Sequence, residues 1–269
     1  MTITVFRRHF RCVFAILILL AGSSVVVAQH ASGGVSAAVS RSKKATAYYQ
    51  QGEKLFESHK YREALGEYLR AAQFDPSMAA ALYRIGWIYN DLEDYNSAVG
   101  PLKQVVALQP NNAAASFELG YALKKLERLP EALAMFKQTV RLNPNYAAAH
   151  YETGWIYNEQ KNYEDAVNSL KLALTNDPNY VAAHNELGFA LRNLGRYPEA
   201  IAEYQEALRQ KPEMGLAHLG LGDVYYYNTK QYEEAAESYK RGLELRPGNA
   251  IAQYNLGWCY KSRTLRRSS

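Results

Sequence analysis

A 34-residue period runs through this chain and leaves its fold little freedom. With copies starting at Ala45, Ala79, Ala113, Ala147, Val181 and Gly215, position 8 is always glycine: Gly52, Gly86, Gly120, Gly154, Gly188 and Gly222. A partial seventh copy from Ala250 repeats it at Gly257. Position 20 is Ala64, Ala98, Ala132, Ala166 and Ala200, and position 32 is Pro76, Pro110, Pro144, Pro178 and Pro212. The sixth copy keeps the pattern at Ala235 and Pro247 after a one-residue insertion near Asn228 to Gln231.

Each copy reads as two helices. Positions 4, 7, 8 and 11 form one apolar stripe at helical spacing, and positions 17, 20, 24, 27 and 28 form a second. A polar hinge at positions 14 to 16 separates them. Pro130 and Pro198 stand at position 18, in a first turn where the missing N–H is harmless, and the position-32 proline stops the second helix. Small residues at positions 8 and 20 let the two helices approach closely. Pro101, inside the second helix of the second copy, is expected to kink or weaken it.

The recurring order of a large residue, Leu, Gly and Tyr, then Ala, an aromatic, Ala and Pro, resembles the tetratricopeptide repeat family over residues 45–249. That resemblance implies an all-α fold: a right-handed α-solenoid of about six helix-turn-helix repeats (45–78, 79–112, 113–146, 147–180, 181–214, 215–249). A capping helix over 250–263 and a basic tail over 264–269 complete it. It also implies that the first helices line a concave groove that takes peptides or proteins. Because one scaffold serves many processes, the resemblance names no partner.

The pentapeptide GWIYN occurs at Gly86–Asn90 and again at Gly154–Asn158. At 100° per residue, positions 4, 7, 8 and 11 share the packing face, whereas 2, 5, 6, 9, 12 and 13 lie opposite. Gly then serves close packing, Trp faces the groove, Ile and Asn lie toward the flanks, and Tyr enters the core. Position 9 reads Glu53, Trp87, Tyr121, Trp155, Phe189, Asp223 and Trp258, and position 5 reads Tyr49, Tyr83, Phe117, Tyr151, Asn185, Leu219 and Tyr254. The candidate peptide-binding residues are the aromatic members of both rows, with Asn90, Lys124, Asn158 and Arg192 of position 12. Either these rings bind a ligand, or they seal adjacent repeats. Copies two and four match each other, as do three and five, so positions 12 and 13 alternate between Asn with an acid and basic residues. Glu118, Glu152 and Glu186 add an acidic row at position 6. Such a groove offers rings together with donors and acceptors for an extended backbone.

Ahead of the repeats, Arg7, Arg8 and Arg11 precede an apolar run from Val13 to Leu20 and small residues to Ala28. This reads as a signal peptide over 1–28, cleaved before Gln29, with a flexible basic linker over 29–44. An uncleaved anchor is the alternative, though Val13 to Ala28 falls short of the ~20 residues that span a bilayer. Ser23 stands where a lipoprotein would carry its lipidated cysteine. The expected location is therefore the bacterial periplasm or the exterior, with no stable membrane insertion after cleavage. The chain's net charge of +5 misleads: the leader takes away three arginines, and residues 29–44 and 261–269 carry +3 and +4, leaving −5 on 45–260. Nucleic-acid binding thereby loses its electrostatic footing. Once Cys12 leaves with the leader, Cys259 is alone and no internal disulfide forms.

His150, His184 and His218 recur at position 4, which belongs to the packing stripe, so packing is expected there rather than a metal site. No phosphate loop, nucleophile with a base, or cofactor motif stands outside the repeat pattern, and no enzyme activity or cofactor is expected. The partner expected is a protein or peptide. The last helix, with Leu256 and Tyr260 uncovered by a second helix, offers a competing reading: self-association through the C-terminal edge.

Overall fold

The computed structural model describes the backbone of residues 38–267 and the side chains of 38–262; the expected signal peptide, 1–28, lies outside them. The described residues form helices and turns throughout: α1 (38–57), α2 (Tyr61–Phe74), α3 (Ala79–Asp91), α4 (Tyr95–Leu108), α5 (Ala113–Lys125), α6 (Leu129–Leu142) and α7 (Ala147–Glu159). Then follow α8 (Tyr163–Asn176), α9 (Val181–Asn193), α10 (Tyr197–Gln210), α11 (Gly215–Asp223) with a π-helical segment (Val224–Thr229), α12 (Tyr232–Leu245) and α13 (Ala250–Arg267). The expected all-α class holds. The chain divides into two compact units, one ending at Glu93 and one beginning at Asp94.

The pairing of helices follows from the glycine at position 8. A methyl group on Gly154 would lie 2.6 Å from Leu170 Cγ, and one on Gly188 would lie 3.0 Å from the Tyr204 ring. The second helix therefore seats its position-24 side chain directly on the bare backbone of the first. Tyr68, Phe136, Leu170, Tyr204 and Tyr239 all occupy that seat and are buried.

Burial in the second helices matches the expected stripe: Ala132, Phe136 and Thr139 in α6, and Ala200, Tyr204 and Ala207 in α10. The first helices are buried over a wider arc than expected. Position 3 (Ala81, Ala115, Ala149, Ala183, Ala217) and position 10 (Ile88, Ala122, Ile156, Ala190, Val224) are 0% exposed. A first helix in the second unit packs on its own second helix and on that of the preceding repeat, as α7 does with α8 and α6. The isoleucine of GWIYN thus enters the core instead of the flank, and Tyr89 and Tyr157 are only half-buried.

Helix α4 is continuous through Pro101, with Asp94 capping its first turn at Ser97 N and Ala98, Leu102 and Val105 buried. Two further expectations need correction. Residues 38–44, read as linker, are already helical; Ala45 is buried and the Tyr48 ring stacks on Phe74 at 5.5 Å. Helix α13 continues to Arg267, past the expected end at 263.

The hinge has one geometry throughout. His59, Glu93, Glu127, Lys161 and Lys230 adopt φ near +60°, and Gly195 takes +75° at the same place. In the third repeat, Glu127 N donates to Lys124 O and Arg128 N to Leu123 O, the paired bonds that close a helix end on a left-handed residue. The insertion in the sixth repeat is taken up as a π-helical segment before Lys230, which restores that hinge. The turn between repeats has a lock of its own: Nε2 of His150, His184 and His218 donates to the carbonyls of Pro144, Pro178 and Pro212, and Gln253 does likewise at Pro247. These histidines hold backbone, which defines the packing role expected for position 4.

Two outcomes follow from these turns. Replacing Lys161 with glycine relieves a left-handed side chain and raises the urea-unfolding free energy by about 0.5–1 kcal/mol, while Gly195→Glu lowers it comparably. His184 also meets Glu203 through Nδ1 at 2.6 Å. Burial pulls the pKa of His184 down, but the bonds to Glu203 and the Pro178 carbonyl outweigh it and the net shift is upward. The contribution of the charged ring is complete below its unfolded pKa of about 6.5 and is lost as pH rises through the higher native value. Unfolding free energy should therefore fall by about 0.5–1 kcal/mol between pH 6.5 and 8.5, and His184→Gln should abolish that step.

Candidate functional site

The first-helix face carries the residues singled out from the sequence, and most of their polar atoms are already engaged between repeats. In the first unit, Glu53 receives a two-pronged bond from Arg84, with Nε at 2.9 Å and Nη2 at 3.0 Å, and a further bond from the Tyr68 hydroxyl. The Arg84 guanidinium lies over Phe56 at 4.2 Å. Trp87 sits edge-on between Phe56 at 5.1 Å and Tyr61 at 5.6 Å, half-buried. Tyr49 leans on Tyr68 at 5.6 Å, and Tyr83 is half-buried. Rings here seal one repeat to the next. Asn90 is buried, which removes it from the solvent-facing flank.

In the second unit, a basic or amide group at position 12 reaches forward to an acid of the next repeat. Lys124 Nζ meets Glu152 Oε2 at 2.5 Å, Asn158 Nδ2 meets Glu186 Oε2 at 3.0 Å, and Arg192 Nη1 meets Asp223 Oδ2 at 2.6 Å. Position 12 is thus the partner of the acidic row at Glu152 and Glu186, and of the position-9 acid Asp223 in the sixth repeat. This corrects the expectation that they offer donors and acceptors to a ligand backbone: Asn158 is 4% exposed with its amide turned to Glu186. The signal was legible as a 28-residue separation between complementary side chains, which also joins Tyr227 to Asn255.

The position-9 rings follow a second rule. Tyr121 packs edge-on against Tyr95 at 6.1 Å and Phe189 against Tyr163 at 6.2 Å, as Trp87 does against Tyr61, so position 17 of the preceding repeat covers position 9. Position-5 rings pair with the tyrosine at the end of their own repeat: Phe117 with Tyr146 at 4.8 Å, and Tyr151 with Tyr180 at 4.7 Å. Burial, with Glu152 and Asp177 near, pushes the Tyr180 hydroxyl up to about 12. Trp155 departs from the rule, because Leu129 stands at position 17 before it, and the Lys124 ammonium lies over its ring at 5.0 Å. Tyr254 and Trp258 on α13 are 65% and 40% exposed and meet only at 6.3 Å.

Beside Trp155 the face opens into a cavity of about 300 Å³, bordered by Phe189, Asn185, Glu186, Tyr204 and the Arg192–Asp223 pair. Position 6 of the sixth repeat is Gly220, where a methyl group would lie 2.8 Å from the Tyr204 hydroxyl oxygen. A side chain there would collide with that hydroxyl. The second helix of the fifth repeat thus reaches through to the first-helix face. Glu186 was read from the sequence as one of an acidic row, whereas Asn185, Tyr204 and Asp223 were not among the candidates, and Glu159 joins the rim. Among the described residues, no three His, Cys, Asp or Glu side chains converge as a metal site would require, and no helix is long and apolar enough to cross a membrane.

Residues 44–113, 91–133, 117–181, 185–250 and 219–262 each match a tetratricopeptide repeat model. No curated protein sequence matches the chain. Among solved structures, YrrB, a TPR protein with an unusual peptide-binding site, aligns with a TM-score of 0.61 at 20% identity, over 70% of this chain and 96% of that one. A MamA crystal structure aligns at 0.59 and 23% identity, over 69% and 96%, and Pseudomonas aeruginosa PilF at 0.66 and 18%, over 80% and 97%. Likeness at such identities speaks to fold, and the repeat models speak to family: this chain belongs to the tetratricopeptide repeat family.

Proposed function

We propose that this protein is an exported, non-enzymatic scaffold that holds an extended peptide or protein segment on its first-helix face, in the bacterial periplasm or outside the cell. The observation that carries the reading is the cavity beside Trp155. Elsewhere on this face rings cover rings and charges pair, whereas here an indole, a phenyl ring and polar groups border open space. Peptide binding by YrrB lends the fold a precedent. Export rests on the arginine-led apolar run before Ala28.

A second reading has its own support. On α13, Ile251 is 67% exposed, and Tyr254, Trp258 and Tyr260 also stand open to solvent. Gly257 faces empty space where the glycines of complete repeats meet a second helix. An uncovered apolar helix face is a natural site for self-association.

Capture from a native envelope extract separates the two. Trp155→Ala should lose the partner that the wild type retains, with little effect on melting. Trp87→Ala should instead cost about 2 kcal/mol or more, because its ring is wedged between two others. If Trp155→Ala captures the same partner as the wild type, the groove reading fails. For the helix edge, sedimentation of the wild type should show mass rising with concentration, and the Tyr254→Lys, Trp258→Lys pair should stay monomeric. A wild type that is monomeric across the range removes that reading.

A further inference from the structure

Three groove acids have a cationic neighbour: Glu53 has Arg84, Glu152 has Lys124 and Asp223 has Arg192. Glu186 has amides instead. Asn158 Nδ2 lies 3.0 Å from Oε2 and Asn185 Nδ2 lies 3.4 Å from Oε1, because position 12 of the preceding repeat is Asn158, where the repeats on either side of it have Lys124 and Arg192. Burial raises the pKa of Glu186 despite these two bonds, and Glu159 adds to the rise. A carboxylate withdrawn from water without a counter-charge is unfavourable, and a cation arriving beside it would recover much of that penalty.

A second observation points to the same place. Asn185 is 7% exposed, borders the cavity, and its Oδ1 has no hydrogen-bond partner. An orphaned buried carbonyl oxygen calls for a donor. The rings on the wall suit the same visitor, since Trp155 already lies under an ammonium and Phe189 under the Arg192 guanidinium at 5.3 Å. Among the lining residues an anionic ligand would meet Glu186, Glu159 and Asp223 against Arg192, while the Lys124 ammonium over Trp155 is already paired with Glu152. At longer range, residues 45–260 carry net −5, a field that draws basic segments in.

We propose that the cavity at Glu186 and Asn185 receives the ammonium or guanidinium of a lysine or arginine side chain, so that the segment held in the groove is a basic peptide. This rests on the groove reading above and adds the chemistry of its occupant. Glu186 supplies the charge, Asn185 Oδ1 accepts a hydrogen bond, and the Trp155 and Phe189 rings flank the aliphatic stem.

The test is calorimetric titration of the full chain with capped hexapeptides alternating glycine with arginine, lysine or citrulline, the last a neutral mimic of arginine. The basic peptides should bind, and the citrulline peptide should bind at least about tenfold more weakly. Glu186→Gln should weaken the basic peptides by about tenfold or more. Asn185→Leu, which copies Leu219 of the next repeat, should weaken them as well, and Glu131→Gln, in an exposed pair with Arg128, should leave affinity unchanged. Absence of binding, equal binding of the citrulline peptide, or equal affinity in Glu186→Gln overturns the proposal. Partner capture from the extract separates the two levels of inference. Loss in Trp155→Ala with retention in Glu186→Gln keeps the groove and removes the cation pocket, while retention in both removes the groove itself.

Discussion

The fold within each unit depends on the contact between a bare glycine backbone in the first helix of a repeat and one large side chain in the second. At Gly52, Gly120, Gly154, Gly188 and Gly222 a methyl group would fall within about 3 Å of that side chain, closer than van der Waals contact permits. Where this contact is made, the chain between its two ends cannot drift. The sixth repeat shows how firmly this holds. Tyr239 lies one residue further from its glycine than its counterparts do, and the surplus is absorbed by widening the helix into a π-helical segment while Gly222 still faces the Tyr239 ring.

A second level of order ties repeat to repeat. The forward links Lys124–Glu152, Asn158–Glu186 and Arg192–Asp223 are partly buried and bridge neighbouring first helices, so they add to the interface energy on which the stability of a repeat array depends. Their buried setting makes each one consequential, because an unpaired member would be left in low dielectric. Links of this kind also remove charge from the groove. What remains for a ligand is set by where the wiring is incomplete, and one such place in the second unit is the amide-held Glu186 in the cavity that Gly220 and Tyr204 also line.

Much of this was legible from residue types alone. The 34-residue period, the glycine and alanine positions and the proline stops specify helix pairs, and the second-helix stripe read from spacing matches the buried residues of α6 and α10. The first-helix stripe was incomplete for a physical reason. A helical wheel judged against one partner predicts one buried face, but Ile88 and Ile156 belong to helices covered from more than one side. The candidate site was less legible still. Position marks which face a residue occupies, yet whether Asn158 offers its amide to a ligand or to Glu186 depends on a side chain 28 residues away. The abundance of tyrosine has the same explanation, since rings at positions 5, 9, 17, 24 and 34 pack on one another while hydroxyls such as those of Tyr68 and Tyr239 reach acids on the first helix.

The two copies of GWIYN draw these strands together. Their isoleucines do the same work, yet their tryptophans do not, and nothing inside the pentapeptide distinguishes them. Trp87 follows a repeat whose position 17 is Tyr61, and the two rings close on each other. Trp155 follows a repeat whose position 17 is Leu129, and its ring borders a cavity under the Lys124 ammonium. A leucine cannot return the edge-to-face attraction that a tyrosine gives, so the indole meets a cation and an open cavity in place of a second ring. In a solenoid of near-identical units, the capacity to bind therefore resides in the mismatch between neighbours: a repeat becomes a site where the one before it fails to supply the ring or the charge that would have closed it.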